Sequence, residues 1–241
     1  MNFKFFERKI EKPSPKPELK EGFKPIMVCI VSPESLDSST REAISLIEKD
    51  GQCIDWWGKK PELEENHISN AGEKTYVISD CNDKNKYSKR YQNCTGIIIV
   101  GEEKESNRQI SIMSHQNPGK FLKEKKENFI EDLTKKVEDI KNKSKNESLD
   151  VVIFGGILEL TDYFRYKDSI SFLNEILTKF NLKPVVMTGP NENYIYGATD
   201  VYFDTQNRRL FIIRPAQQNN NLNQSYSPDD VKEQKKKWEK K

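Results

Sequence analysis

The chain has 241 residues, of which 34% are hydrophobic and 32% are charged, and its mean hydropathy is -0.84. Its 40 basic and 38 acidic residues give a formal net charge of +2, a balance that does not favour a nucleic-acid or membrane-surface partner. No apolar run reaches the roughly 18 residues of a membrane span, and the charged N-terminus lacks the apolar segment of a secretory signal. The composition predicts a cytoplasmic protein with polar extensions outside a folded core.

The four cysteines lie far apart and show no Cys-x-x-Cys spacing, and the chain has only two histidines that could join them as metal ligands. In a cytoplasmic protein such a set indicates neither a disulfide framework nor a zinc site. We therefore expect no metal and no other cofactor, and the oligomeric state is left open.

Both ends of the chain are poor in residues that could be buried. Residues 1–24 form a Pro- and Lys-rich lead-in, and residues 216–241 form a tail rich in Asn, Gln and Lys. We expect both segments to be disordered because they cannot bury enough apolar surface to offset the entropy lost on ordering.

Residues 25–90 form an N-terminal segment whose fold the pattern leaves open, including the option that it joins the sheet of the next domain. The apolar run at 25–32 predicts a buried strand. A helix follows that Gly51 ends, and its candidate N-caps are Ser38, Ser39 and Thr40.

Residues 91–215 carry the clearest pattern and predict an α/β domain. The predicted strands cover 94–101, 108–115, 150–156, 184–187, 200–204 and 209–214, and the predicted helices cover about 120–143 and 167–180. Hairpins at both ends with helical crossovers between them predict a mixed β-sheet with helices packed on it.

Cys94 and His115 are the pair in this domain that suggests chemistry. If 94–101 and 108–115 form an antiparallel hairpin, both residues lie at the same edge of the sheet. An imidazole can then take the thiol proton and later protonate a leaving amine. Taken singly, each residue has an alternative role, because a strand-end histidine is often structural and a cysteine often a small buried apolar side chain.

Several neighbours would complete such a site. Backbone N–H groups around Thr95 and Ser114 could stabilise an oxyanion on the substrate carbonyl. The turns at the same edge supply the adjacent residues Gln116, Asn117, Gly155 and Gly156.

Short motifs in residues 94–214 resemble the chemoreceptor glutamine deamidase (CheD-like) family. Met-Ser-His-Gln-Asn-Pro at 113–118 is similar to the family's His-x-x-Leu-Pro segment, in which the histidine ends a strand. Val-Val-Ile-Phe-Gly-Gly-Ile at 151–157 resembles its Lys-x-Phe-Gly-Gly-Ala strand, and 197–215 resembles its closing hairpin. The order Cys, His, Phe-Gly-Gly is the same, over about half of the chain.

The resemblance implies a CheD-like sandwich and a reaction. That family hydrolyses glutamine side-chain amides with a cysteine thiolate and a histidine base, in a fold shared with bacterial toxins that deamidate host proteins. Carried over, Cys94 corresponds to the nucleophile and His115 to the base. Ser88 is the candidate for the polar third residue, and the implied partner is a protein that carries a glutamine.

The sequence also departs from the family pattern. Gln92-Asn93 precede the cysteine where the family has Gly-Ser, and Asn117 replaces the leucine before the proline. The stretch at 166–177 resembles the family's Tyr-x-Asp-x-Ala helix but lies on the other side of Phe-Gly-Gly. Two interpretations follow: a cysteine amidohydrolase, or a catalytically inactive member that acts as a binding or scaffolding module.

Overall fold

The computed structural model of the chain describes residues 25–54, 76–117, 125–145, 148–157, 160–184, 186–189 and 196–215. The predicted disordered segments at 1–24 and 216–241 lie outside the described residues. The elements within the described ranges are ten strands and three α-helices. The strands are β1 Met27–Val31, β2 Gln52–Cys53, β3 Tyr76–Ile78, β4 Lys86–Ser88, β5 Thr95–Glu102, β6 Gln109–Gln116, β7 Asp150–Gly155, β8 Val186–Thr188, β9 Asp200–Asp204 and β10 Arg209–Ile213. The helices are α1 Ser38–Asp50, α2 Lys126–Lys143 and α3 Leu160–Lys179.

The strands form two five-stranded sheets. The first sheet has the order β1-β10-β9-β4-β2, and the second sheet has the order β3-β6-β5-β7-β8. Both combine parallel with antiparallel pairs, since β1 runs parallel to β10, β2 to β4 and β7 to β8. The predicted α/β fold, with mixed strand pairing and helices packed on the strands, is confirmed. The residue pattern predicted one mixed sheet, because alternation within single strands does not reveal that the strands divide between two sheets.

Apolar side chains pack between the two sheets, and also between the second sheet and two of the helices. The core between the two sheets contains Val77, Ile98, Val100, Met113, Val152, Phe154, Val201, Phe203, Leu210 and Ile212. A second core between the second sheet and the helices α2 and α3 contains Ile97, Ile99, Ile112, Phe129, Leu133, Val137, Ile153, Leu173 and Leu177. The side chains of β5 alternate between these two cores, so both faces of the strand are apolar.

The N-terminal segment contributes to both sheets. β1 lies at an edge of the first sheet, where it pairs with β10, whereas β3 pairs with β6 of the second sheet. β4 was not predicted because it is only three residues long and reads Lys-Tyr-Ser. It nevertheless lies inside the first sheet, between β9 and β2.

Helix α1 begins one residue earlier than the sequence suggested. The N-cap is Asp37, whose carboxylate accepts a hydrogen bond of 2.7 Å from the Thr40 backbone N–H. The predicted N-caps Ser38, Ser39 and Thr40 are therefore wrong, because all three lie within the helix. The predicted stop is confirmed, since Gly51 is the C-cap.

A lysine side chain is enclosed between the sheets at the start of β4. Lys86 is fully buried, and its Nζ donates to Asn82 Oδ1 at 2.9 Å and to the Lys84 carbonyl at 3.0 Å. Burial lowers the pKa of Lys86 to about 7, because removal from water disfavours the charged form.

We predict that the free energy of unfolding rises with pH between about pH 7 and pH 9 because of this lysine. In that window the unfolded chain holds a proton on Lys86 that the folded protein releases, which contributes up to about 1.4 kcal/mol per pH unit. The contribution is lost as the pH falls toward 7. Chemical denaturation at several pH values should show a flatter dependence in Lys86→Met, while Lys84→Met, at an exposed position, should keep the wild-type slope. Equal slopes in all three proteins would contradict the prediction.

Candidate functional site

Cys94 and His115 lie on the same face at the same end of the second sheet. The β5–β6 register pairs Thr95 with Gln116, which places His115 beside Gly96 and diagonally across from Cys94. Diagonal neighbours of an antiparallel pair have Cα atoms roughly 7–8 Å apart, close enough for side chains to interact. Both side chains point into the space between the sheets, where Cys94 joins the apolar core.

Ser88 reaches the imidazole from the other sheet. β4 pairs with β9 in the first sheet, and Ser88 at its end is fully buried. Its Oγ lies 2.8 Å from His115 Nδ1, the distance of a good hydrogen bond. The structure therefore joins two of the three residues with predicted catalytic roles, Ser88 and His115, across the two sheets. The third, Cys94, lies on the same face as His115, and its thiol donates to Asn93 Oδ1 at 3.6 Å.

A tyrosine that the sequence analysis did not identify lies against the imidazole. The ring of Tyr91 stacks on His115 with a centroid separation of 3.9 Å and an interplanar angle of 17°. Its hydroxyl donates to the Ser114 carbonyl at 2.8 Å. The available signal was an aromatic residue three positions before the cysteine in an otherwise polar stretch, which indicates an inward-facing ring.

Two residues beside Tyr91 have left-handed backbone conformations. Arg90 has a φ of 60° and Gln92 a φ of 44°. Non-glycine residues seldom adopt this region, because the Cβ approaches the following carbonyl oxygen. The connection from Ser88 to Cys94 is therefore strained on both sides of the tyrosine, and such strain is common at functional sites.

The backbone of Cys94 is held by hydrogen bonds on both sides. Its N–H donates to the Tyr91 carbonyl at 2.6 Å, and its carbonyl accepts from the Gly156 N–H at 2.7 Å. Gly155 has a φ of 96°, and a Cβ there would collide with the Cys94 carbonyl oxygen. The Gly155-Gly156 pair is thus placed beside the cysteine, and its lack of side chains allows the close approach.

Three of the other predicted neighbours have side chains on the opposite, helix-facing side of the sheet. Thr95 Oγ1 lies 2.9 Å from Ser169 Oγ of α3, and Ser114 Oγ accepts from the Ile97 N–H at 3.1 Å. Gln116 is the buried last residue of β6 rather than part of a loop, and Asn117 directly follows that strand. The side chains of Thr95, Ser114 and Gln116 therefore face away from Cys94.

Burial determines the charge state of the imidazole. His115 is fully buried, and desolvation lowers its pKa to about 3, although a hydrogen bond to the backbone of Ile54 acts in the opposite direction. The ring is therefore neutral at physiological pH, which is the form that can accept a proton.

The described residues show neither a candidate metal site nor a membrane-spanning helix. Among the described residues, no group of three or more His, Cys, Asp or Glu side chains is arranged to hold a metal ion. None of the helices in the described ranges is long and apolar enough to cross a membrane. No family model and no curated protein matches the sequence.

We predict that glycine is better tolerated than alanine at position 92. Glycine adopts the left-handed conformation of Gln92 without a Cβ clash, so Gln92→Gly should be more stable to unfolding than Gln92→Ala by about 1 kcal/mol. At Lys89, where φ is not positive, the order should reverse, and Lys89→Gly should be about 0.5–1 kcal/mol less stable than Lys89→Ala. Denaturant titration of the four variants measures both differences in unfolding free energy. If glycine and alanine rank in the same order at both positions, the left-handed conformation of Gln92 is contradicted.

We further predict that His115 does not titrate in the physiological range. The chain has two histidines, and the variant His67→Gln shows which ring signal in a proton NMR spectrum belongs to His115. The chemical shift of the His115 signal should stay constant from about pH 8 to pH 4.5. The free energy of unfolding should fall as the pH drops below about 6.5, because the unfolded histidine takes up a proton that the folded one refuses. A His115 signal that titrates near pH 6.5 would show that the ring is hydrated.

Proposed function

We propose that the chain is a cysteine-dependent amidohydrolase that deamidates glutamine side chains of another protein. The observation that carries the proposal is the 2.8 Å contact between Ser88 Oγ and His115 Nδ1, on a face of the second sheet that Cys94 shares. A thiol, an imidazole and a hydroxyl that orients the imidazole are the parts of an activated nucleophile. In this assignment Cys94 is the nucleophile, His115 is the general base and acid, and Ser88 orients the imidazole.

The resemblance to the CheD-like family supports the proposal at one further position. The family has glycine at the first position of Gly-Ser-Cys, where this chain has Gln92. Gln92 adopts a φ of 44°, a conformation that glycine adopts without strain. The substitution at this position is therefore compatible with a conserved backbone path into the cysteine.

The proposed reaction has two steps and needs no cofactor. The thiol first turns from Asn93 Oδ1, its partner in the resting structure, toward the imidazole. His115, with its hydrogen on Nδ1 toward Ser88, then takes the thiol proton at Nε2 while the sulfur bonds to the glutamine amide carbon. The imidazolium returns the proton to the amide nitrogen, the C–N bond breaks, and ammonia leaves a thioester behind. Water hydrolyses the thioester to a carboxylic acid and restores the thiol.

The desolvation of the imidazole determines when the proton is transferred in this mechanism. Because burial holds the pKa of His115 far below its usual range, a resting thiolate–imidazolium pair is disfavoured. The proton therefore moves as the sulfur attacks. The Cys94 N–H can stabilise the oxyanion on the substrate only when its bond to the Tyr91 carbonyl opens.

The second candidate function is a binding or scaffolding module that has lost the chemistry. Burial favours it, because Cys94 is 4% exposed and His115 is 0% exposed, so a substrate side chain has little direct access to the thiol. The hydrolase and the module share the same expected setting, a cytoplasmic protein whose partner is another protein rather than a nucleic acid or a membrane.

We predict that ammonia release from a glutamine-containing protein depends on this site. Unfolded casein and a panel of glutamine peptides serve as substrates, with ammonia measured enzymatically and the conversion of amide to acid followed by mass spectrometry. Cys94→Ala should abolish release, and Ser88→Ala should lower kcat by about 10- to 100-fold because the imidazole loses its orienting partner.

One control makes the outcome decisive. Cys29→Ala, at a half-buried cysteine outside the site, should retain wild-type turnover. If no substrate yields ammonia, or if Cys94→Ala releases as much ammonia as the wild type, the hydrolase proposal fails and the binding module is favoured.

A further inference from the structure

Tyr91 contacts two of the three residues of the proposed site, His115 and Cys94. Its ring stacks on His115 at 3.9 Å, and its carbonyl accepts the Cys94 N–H at 2.6 Å. The side chain is fully buried, and its ring also meets Phe154 edge-on at 5.1 Å. A residue that touches the imidazole through its side chain and the cysteine through its backbone couples the positions of the two groups.

The hydroxyl of Tyr91 enters a gap in the second sheet. β5 and β6 pair at Thr95–Gln116 and again from Ile98–Met113, with no pair between these two. In this interval the Ser114 carbonyl accepts the Tyr91 hydroxyl at 2.8 Å. The Ile97 N–H donates to Ser114 Oγ at 3.1 Å.

Close approach at this gap depends on a glycine. Gly96 lies beside His115, and a Cβ there would come within 2.5 Å of both the Ser114 carbonyl oxygen and the Phe154 ring. Since real Cβ atoms do not approach other atoms so closely, a larger residue would displace the carbonyl that holds the tyrosine. The gap, the glycine and the tyrosine therefore form one arrangement next to the imidazole.

The stacked tyrosine ring restrains rotation of the imidazole about its second side-chain torsion, which a hydrogen bond at one nitrogen does not fix. The second side-chain torsion of histidine has a broad energy profile, and the contact with Ser88 fixes one edge of the ring rather than its plane. A tyrosine face 17° from parallel limits the plane to a narrow range. Tyr91 is itself anchored at its hydroxyl and by its N–H, which donates to the Thr199 carbonyl at 2.8 Å.

We propose that Tyr91 is the positioning residue of the Cys94–His115–Ser88 site, with its ring fixing the plane of the imidazole and its hydroxyl locked into the gap between β5 and β6. The catalytic part of this inference rests on the proposed hydrolase function. The structural part, the control of the imidazole plane and tautomer, does not.

The test compares Tyr91→Phe, which keeps the stack, with Tyr91→Leu, which removes it. Phe203→Leu is the matched control, since Phe203 is fully buried in the same core between the sheets. The readouts are the ring nitrogen chemical shifts of His115 by NMR without substrate, the thermal midpoint, and kcat and KM for ammonia release.

The expected results separate the ring from the hydroxyl. Tyr91→Phe should keep the His115 tautomer and lower the thermal midpoint by a few degrees. Tyr91→Leu should give mixed tautomers and a His115 pKa nearer its usual range. It should also lower kcat by about 10- to 100-fold with KM little changed, because a misplaced base affects the chemical step. Phe203→Leu should lose stability with wild-type His115 shifts.

Two outcomes would overturn the proposal. One is Tyr91→Leu with the wild-type His115 tautomer, which would make Tyr91 a core residue only. The other is Tyr91→Phe with altered tautomers, and this variant decides the matter if Tyr91→Leu does not fold. If the wild type releases no ammonia while Tyr91→Leu gives mixed tautomers, the hydrolase function fails and the positioning role stands.

Discussion

A hydrogen bond between Ser88 and His115 joins the two sheets in a region from which water is excluded. Both side chains are fully buried, so losing either partner would leave a polar group unsatisfied in an apolar core, at a cost of about 1–3 kcal/mol. The bond therefore constrains how β4 lies against β6. It also determines which edge of the imidazole faces the first sheet.

The short connection from Ser88 to Cys94 makes this contact possible. It leaves the first sheet at Ser88 and enters the second at Cys94, and on the way it places the Tyr91 ring against the histidine. So tight a path requires left-handed conformations at Arg90 and Gln92. Their strain is compensated by the contacts of Tyr91, which is why the geometry of this connection and the geometry of the imidazole depend on each other.

The sequence allowed the neighbourhood of Cys94 and His115 to be predicted because it depends on one local hairpin. Alternation along β5 and β6 sets their shared face, and the antiparallel register sets their shared edge. The role of Ser88 could only be suggested by resemblance, since its contact requires one sheet to pack on another. Tyr91 was missed for the same reason, and the Asp37 cap was missed because several capping residues stand in a row at the start of α1.

Burial of the site also bears on the substrate that the proposed hydrolase would accept. An apolar core that contains a neutral imidazole binds a neutral group far better than a charged one, because desolvating an ion costs several kcal/mol. A glutamine amide is neutral, whereas the acid formed from it ionises once it meets water. The same desolvation that lowers the pKa of His115 would therefore admit the amide and disfavour the carboxylate. The proposed site would thereby discriminate substrate from product by charge, which assists product release.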